Sequence, residues 1–293
     1  MGYELTSLQR EVISGLTAGT ITTISSHPLD LLKVRLQLSA GSRSNTTYTG
    51  LLRDIFGRQQ WGRELYRGLG VNLLGNSVAW ALYFGCYRCA KDVALRHLGN
   101  ESGTGVMDRR LPAHAYMLAA GSSGIATTVL TNPIWVIKTR IMATSRTGPY
   151  KSTFDGVCKL YQTEGILAFW RGVVPSLFGV SQGAIYFALY DTLKFHYLHS
   201  NTDKTERRLT VAEIIGITCI SKMISVSSVY PFQLLKSKMQ DFGAPSSISR
   251  LATTVYNRDG IRGFYRGLSA NLLRAVPATC ITFFVYENIK YRL

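Results

Sequence analysis

Charged residues are unevenly spread along this chain. From Val12 to Leu29, 18 positions pass without Lys, Arg, Asp or Glu, about the length of helix that crosses a hydrocarbon layer. Further weakly charged stretches run over 69–87, 113–137, 173–190, 210–235 and 268–286. The pattern predicts six membrane-spanning helices. Shorter segments near 49–60, 151–163 and 249–258 read as amphipathic helices. Polar connections, GNESGTGVMDRR (99–110) and NTDKTERR (201–208), divide the chain into units.

Composition adds a constraint. The 293 residues are 46% hydrophobic and carry a formal charge of +16, yet mean hydropathy is only +0.08. The spans are rich in Gly, Ser and Thr, so one face of each should meet a neighbouring helix or water instead of lipid. The bundle therefore encloses something polar. Lys and Arg gather at span ends and motif positions, without a basic face on a soluble fold. Anionic lipid and an anionic substrate explain them better than nucleic acid, which is not expected as a partner.

Other signals have plain readings. No nucleophile–base–acid set or phosphate loop appears, so an enzyme has no residues to rest on and neither cofactor nor metal is expected. Cys86 and Cys89 form a lone C-x-x-C at the end of a span, without a second pair. Gly15 and Gly19 read as a close helix contact. The N-terminus lacks the character of a cleavable presequence, so any targeting should be internal.

Internal repeats settle the organisation. PLDLLKVR begins at Pro28, PIWVIKTR at Pro133 and PFQLLKSK at Pro231. The YRG at 66–68, WRG at 170–172 and YRG at 265–267 return with the same period, as do YRCAK from Tyr87, YDTLK from Tyr190 and YENIK from Tyr286. Three ordered motifs repeated three times define units over 8–98, 111–199 and 209–293. Each unit holds a proline-kinked odd helix, a short amphipathic helix and an even helix. An even number of spans puts both termini on one side.

The pattern P-x-[DE]-x-x-[KR]-x-[KR], followed by [DE]-G-x-x-x-x-[YWF]-[KR]-G, resembles the signature of the mitochondrial carrier family across essentially the whole chain. EGILAFWRG (164–172) and DGIRGFYRG (259–267) match it in full, whereas WGRELYRG (61–68) places Trp61 where an acid is expected. The resemblance implies an all-α membrane protein: six transmembrane helices in a threefold pseudosymmetric bundle, with three short matrix-side amphipathic helices. It implies a functional monomer in the mitochondrial inner membrane, with both termini on the intermembrane-space side.

Carried over residue by residue, the matrix gate comprises Asp30 facing Lys138, Trp135 facing Lys236, and Gln233 facing Lys33. Only the first would be an ion pair. Trp135 can hold Lys236 by a cation–π contact, and Gln233 offers Lys33 a neutral acceptor. Gln37 and Gln240 resemble the family's glutamine braces, with Met142 breaking that pattern in the second unit. The cytoplasmic gate comprises Asp191, Lys194, Glu287 and Lys290, with Arg88 standing where the first unit should have an acid.

For the substrate site, the resemblance points to Gly75, Gly179 and Arg274, with Asn76 and Val180 beside them. The glycines could equally be packing positions. An unpaired guanidinium in an apolar span is harder to explain without a ligand. Lys222, where the other units carry Gly19 and Gly124, suits a phosphate or a structural role. Trp80, Gln182 and Tyr186 could meet a ring or simply pack. Gly68, Gly172 and Gly267 resemble the family's cardiolipin-binding elements. NPIWVIKTR is most similar to the branch that moves flavin, folate, nicotinamide and pyrimidine nucleotides. The expected cargo is flavin adenine dinucleotide (FAD), as substrate and not as cofactor, with folate or another nucleotide as the alternative. A non-transporting membrane protein on the same scaffold is the competing class.

Overall fold

The computed structural model describes residues 7–38, 48–98, 111–145, 148, 150, 152–199, 210–245 and 247–292. Within its helices, the side chains of 7–14, 98, 113, 199, 211, 276, 279, 280, 283, 284 and 286–292 are not described. The long helices are α1 (Ser7–Leu38), α4 (Leu69–Leu98), α5 (Ala113–Ala143), α7 (Val173–His199), α8 (Val211–Gln240) and α10 (Leu268–Arg292). Between the members of each pair lie α2 (Tyr48–Phe56) with α3 (Trp61–Leu65), α6 (Thr153–Glu164) and α9 (Ile248–Gly263). Two of the long helices, over Ile166–Leu198 and Ala212–Gln240, are apolar enough to cross a membrane by composition alone. The other long helices fall short because their Gly, Ser, Thr and charged positions lower the average.

Capping residues fix the helix starts. The Ser152 hydroxyl accepts from the Asp155 amide at 3.1 Å and opens α6. Thr210 and Glu213 form a capping box at α8, with the Thr210 amide donating to Glu213 Oε2 at 2.8 Å. Pro28, Pro133 and Pro231 lie inside α1, α5 and α8. Each removes one backbone donor and disposes its helix to kink there.

Every even helix packs chiefly on the odd helix of the next unit: α4 on α5, α7 on α8, and α10 back on α1. The odd helices also touch one another, while the even helices make no comparable mutual contact. The bundle is therefore closed at the proline end. Apolar clusters sit under the short helices at that same end. One is built on Val136, Ile137, Ile141, Leu160 and Phe169, another on Tyr230, Leu234, Met239, Leu251 and Val255, and a third on Leu31, Ile55 and Met142.

Three glycines make the ring close. Gly68, Gly172 and Gly267 have φ of 82, 79 and 84°, a region that L side chains rarely adopt. A Cβ on Gly68 would meet Met142 Cγ at 3.1 Å, one on Gly172 would meet Gln240 Cγ at 3.2 Å, and one on Gly267 would meet Gln37 Cγ at 3.3 Å. The glycine that starts each even helix thus receives the residue nine positions past the next unit's proline. For Gly15 and Gly19, expected at a close helix contact, a Cβ on either would meet nothing within 4 Å among the described residues.

The residue before each proline ties its odd helix to the same place. His27 Nε2 lies 3.0 Å from the Arg67 carbonyl, Asn132 Nδ2 donates to the Arg171 carbonyl at 3.1 Å, and the Tyr230 hydroxyl donates to the Arg266 carbonyl at 2.8 Å. Three different side chains satisfy one equivalent carbonyl ahead of each positive-φ glycine. Buried carbonyls need such partners.

Candidate functional site

A cavity of about 780 Å³ opens above the closed end, within the size range of small-molecule sites. Its walls differ in chemistry. Helix α4 contributes Ala79, Trp80 and Tyr83; α5 contributes Gly124, Thr127, Thr128 and Thr131; α7 contributes Gly179, Val180 and Gln182. The floor carries Asp30, Lys33, Trp135, Lys138, Gln233 and Lys236.

The floor does not pair as the family pattern implies. Arg274 Nε lies 2.9 Å from Asp30 Oδ1, so the ion pair of Asp30 is with α10, although Lys138 and Lys33 also lie within its electrostatic reach. Arg274, expected free for substrate, is thus engaged with the gate. Its long side chain lets a cation on α10 reach an acid at the kink of α1, the helix on which α10 packs. Gln233, expected opposite Lys33, instead donates to Gln182 Oε1 at 2.7 Å and accepts from Asn271 at 3.3 Å. A carboxamide satisfies both its donor and its acceptor there, which an ammonium partner could not achieve.

Trp135 holds two lysines. Its ring has Lys138 Nζ at 4.9 Å and Lys236 Nζ at 5.9 Å from the centroid, and its indole N–H donates to Thr131 Oγ1 at 3.1 Å. An aromatic face thus stands where a carboxylate would otherwise attract both cations. The edge of the same indole packs on Gly75, whose Cβ would meet Ile134 Cγ2 at 3.1 Å and Trp135 Cη2 at 3.5 Å. Gly75 is therefore a helix-packing glycine, and neither it nor Asn76 belongs to the cavity wall, in contrast to the expected substrate contacts. Gly179 and Val180 do line the cavity, and a Cβ on Gly179 would meet nothing within 4 Å among the described residues. Lys222 lies over the Tyr186 ring at 5.4 Å and within the electrostatic reach of Arg274.

Inter-unit braces close the floor from below. Gln37 donates to the Tyr230 hydroxyl at 3.0 Å and accepts from Ser237 at 2.9 Å, while Gln240 accepts from Thr139 at 2.8 Å. In the second unit Met142 fills that place with a buried apolar side chain, and its carbonyl accepts from Arg35 Nε at 3.1 Å.

The sequence reading missed Glu64. WGRELYRG has no acid at the usual place, but Glu64 pairs with Arg35 at 2.5 Å inside the protein. It takes the role that Glu164 plays toward Arg140 in the second unit, also at 2.5 Å. The short helix α3 brings it there despite the different spacing. The signal was available, since Glu64 is the only acid between Asp54 and the YRG of the first unit.

At the opposite end Asp191 is exposed, and Lys194 lies 6.0 Å from the Tyr190 ring centroid. The side chains of Glu287 and Lys290 lie outside the described residues. Cys86 and Cys89 are free thiols, and no group of metal-binding side chains occurs among the described residues. Gly68, Gly172 and Gly267 stand at the starts of α4, α7 and α10.

The family model for mitochondrial carrier proteins matches three segments, 5–98, 109–201 and 207–293. The chain belongs to the mitochondrial carrier family. It is a transporter of the mitochondrial inner membrane, not an enzyme. Among its relatives, the mitochondrial FAD carrier protein of Saccharomyces cerevisiae is 49% identical over 99% of both chains. The mitochondrial nicotinamide adenine dinucleotide transporter 1 of the same organism is 34% identical over 99% of this chain and 78% of its own. Folate transporter 1, chloroplastic, of Arabidopsis thaliana is 33% identical over 94% of this carrier and 92% of its own length.

Proposed function

We propose that this carrier moves FAD across the mitochondrial inner membrane by alternating access through the central cavity. The observation that carries the reading is the cation excess at the closed end, where Lys33, Lys138 and Lys236 line the cavity floor and Arg274 pairs with the one carboxylate of that floor, Asp30. That excess of positive charge suits a pyrophosphate. Kinship with the yeast FAD carrier selects the flavin among nucleotide cargoes. Folate and nicotinamide or pyrimidine nucleotides are the competing cargoes.

Arg274 gives the cargo leverage on the gate. A phosphate that accepts from its planar fork of donors competes with Asp30 for the same cation. Binding therefore loosens the tie between α10 and α1 at the kink, which is the differential affinity that alternating access requires. Lys222 supplies a second cation for the phosphates. Both termini face the intermembrane space, with Asp191, Lys194, Glu287 and Lys290 forming the gate on that side. The amides following Gly68, Gly172 and Gly267 hold cardiolipin phosphates. The protein works as a monomer, needs no cofactor and has no nucleic-acid partner.

Uptake into liposomes by the purified protein tests the reading, using FAD, FMN, folate, NAD and pyrimidine nucleotides in parallel. FAD should enter fastest; uptake of folate without FAD overturns the assignment. Arg274→Gln should abolish most transport and Arg274→Lys leave intermediate activity, because the lysine keeps the charge and loses the fork. Lys222→Met should weaken competition by FAD and FMN more than by riboflavin, which has the same ring without phosphate.

A further inference from the structure

Two tryptophans line the cavity, and they stand in opposite conditions. Trp135 is engaged by two lysines, by Thr131 and by Gly75. Trp80 is 61% exposed, and its ring neighbours are on its own helix: Phe84 stacked at 5.6 Å and Tyr83 edge-on at 6.2 Å. No cation lies over the Trp80 ring among the described residues. Tyr83 stacks in turn on Tyr87, at 6.2 Å with an interplanar angle of 9°. A ladder of rings thus runs up α4 from the cavity toward its open end.

We propose that Trp80 and Tyr83 form the platform on which the planar ring of the cargo stacks, with the Thr127 hydroxyl meeting the ring edge. This rests on the nucleotide-carrier reading and adds the residues that select the ring. The α7 wall of the same cavity includes a small and an aliphatic position side by side, Gly179 and Val180. Gly179 leaves open space, Val180 offers an alkyl surface, and a Cβ on Gly124 would touch Val180 Cγ1 at 3.0 Å, so α5 and α7 meet beside it. A flat ring fits between an aromatic face and an aliphatic shelf, where stacking tolerates either a flavin or a nicotinamide. Thr127 is only 9% exposed and lines the cavity, yet its Oγ1 is buried with no hydrogen-bond partner among the described residues. A buried hydroxyl without a partner is costly, and the polar edge of a ring supplies what it lacks.

Charge and ring can be separated by ligand choice. The measurement is the rise in melting temperature of detergent-solubilised carrier against increasing FMN, and separately against inorganic pyrophosphate, which has charge but no ring. Trp80→Leu should weaken FMN binding about tenfold, the size expected from losing one stacking partner, and leave pyrophosphate unchanged. Trp80→Tyr should keep most of the FMN effect, and Thr127→Val should lose a several-fold share of it. Phe154→Leu, an exposed aromatic on α6 outside the cavity wall, should change neither ligand. Equal weakening of FMN and pyrophosphate by Trp80→Leu, or unchanged FMN binding, overturns the platform. If the parent responds to NAD and not to FMN or FAD, the flavin assignment fails; the same comparison with NAD in place of FMN then decides the platform separately.

Discussion

The second and third repeats make the same bend and secure it with different chemistry. In the second, Arg140 is 1% exposed, grips Glu164 with two nitrogens at 2.5 and 3.0 Å, and donates its Nε to the Gln240 carbonyl at 3.0 Å. Arg171 pairs with the same Glu164. In the third, Lys238 stands at the equivalent place and senses Asp259 and Asp241 electrostatically, without an ion pair within 4 Å among the described residues. A guanidinium can bridge a carboxylate in its own repeat and a carbonyl in the next, whereas an ammonium is a compact point charge. The junction from the third repeat to the first relies instead on neutral bonds among Tyr230, Gln37 and Ser237. It is also the junction that Arg274 and Asp30 tie. The junction from the third repeat to the first thus combines neutral bonds with a single ion pair, in place of a guanidinium bracket.

The largest test of this contrast is to remove the acid from each bracket. Glu164→Gln leaves Arg140 and Arg171 without their shared carboxylate and should cost about 3–5 kcal/mol, as for other broken buried ion pairs; Asp259→Asn should cost under ~1 kcal/mol. Melting temperatures of the two variants in detergent measure the difference. The Glu164 effect should also depend on pH. The hydrogen bond from Arg140 holds its carboxyl below the usual 4.5. Its stabilisation is therefore complete above the unfolded value and is lost as pH falls through the lower folded one. The gap between parent and Glu164→Gln should close in that acid window, which a pH series of melting curves will show.

Exchanging the fork for a point charge is the next step down. Arg140→Lys keeps the charge but loses the Nε bond to the Gln240 carbonyl, at a cost of about 2 kcal/mol, again read from thermal unfolding. If the lysine variant is as stable as the parent, the two-way grip of Arg140 is not what distinguishes the repeats. Tyr230→Phe attacks the neutral junction: it leaves the Arg266 carbonyl without its donor and the Gln37 amide without its acceptor. The expected loss is about 1–2 kcal/mol, accompanied by faster turnover because the closed end opens more readily. The smallest effect belongs to Lys238→Arg, which should gain up to ~1 kcal/mol by giving the third repeat a fork. Slower FAD transport with slightly raised stability supports the comparison, and lower stability contradicts it.

The sequence alone determined what is periodic or local. Eighteen uncharged positions, three prolines at intervals of 105 and 98 residues, and three glycines closing aromatic–Arg–Gly motifs specify kinked helices in three equivalent units. Trp135 near Lys236 was legible for the same reason, since both occupy motif positions, but Lys138, expected opposite Asp30, also lies over that ring. Tertiary structure decided the partners. Arg274 and Asp30 are far apart in the chain and meet only because α10 returns to α1. Glu64 substitutes for the missing acid because α3 redirects it, and Gly75 packs on an indole instead of opening to the cavity. Propensity and spacing act within a turn or two of helix, but a salt bridge or a cavity wall depends on which helices lie side by side and how far each side chain reaches across the gap.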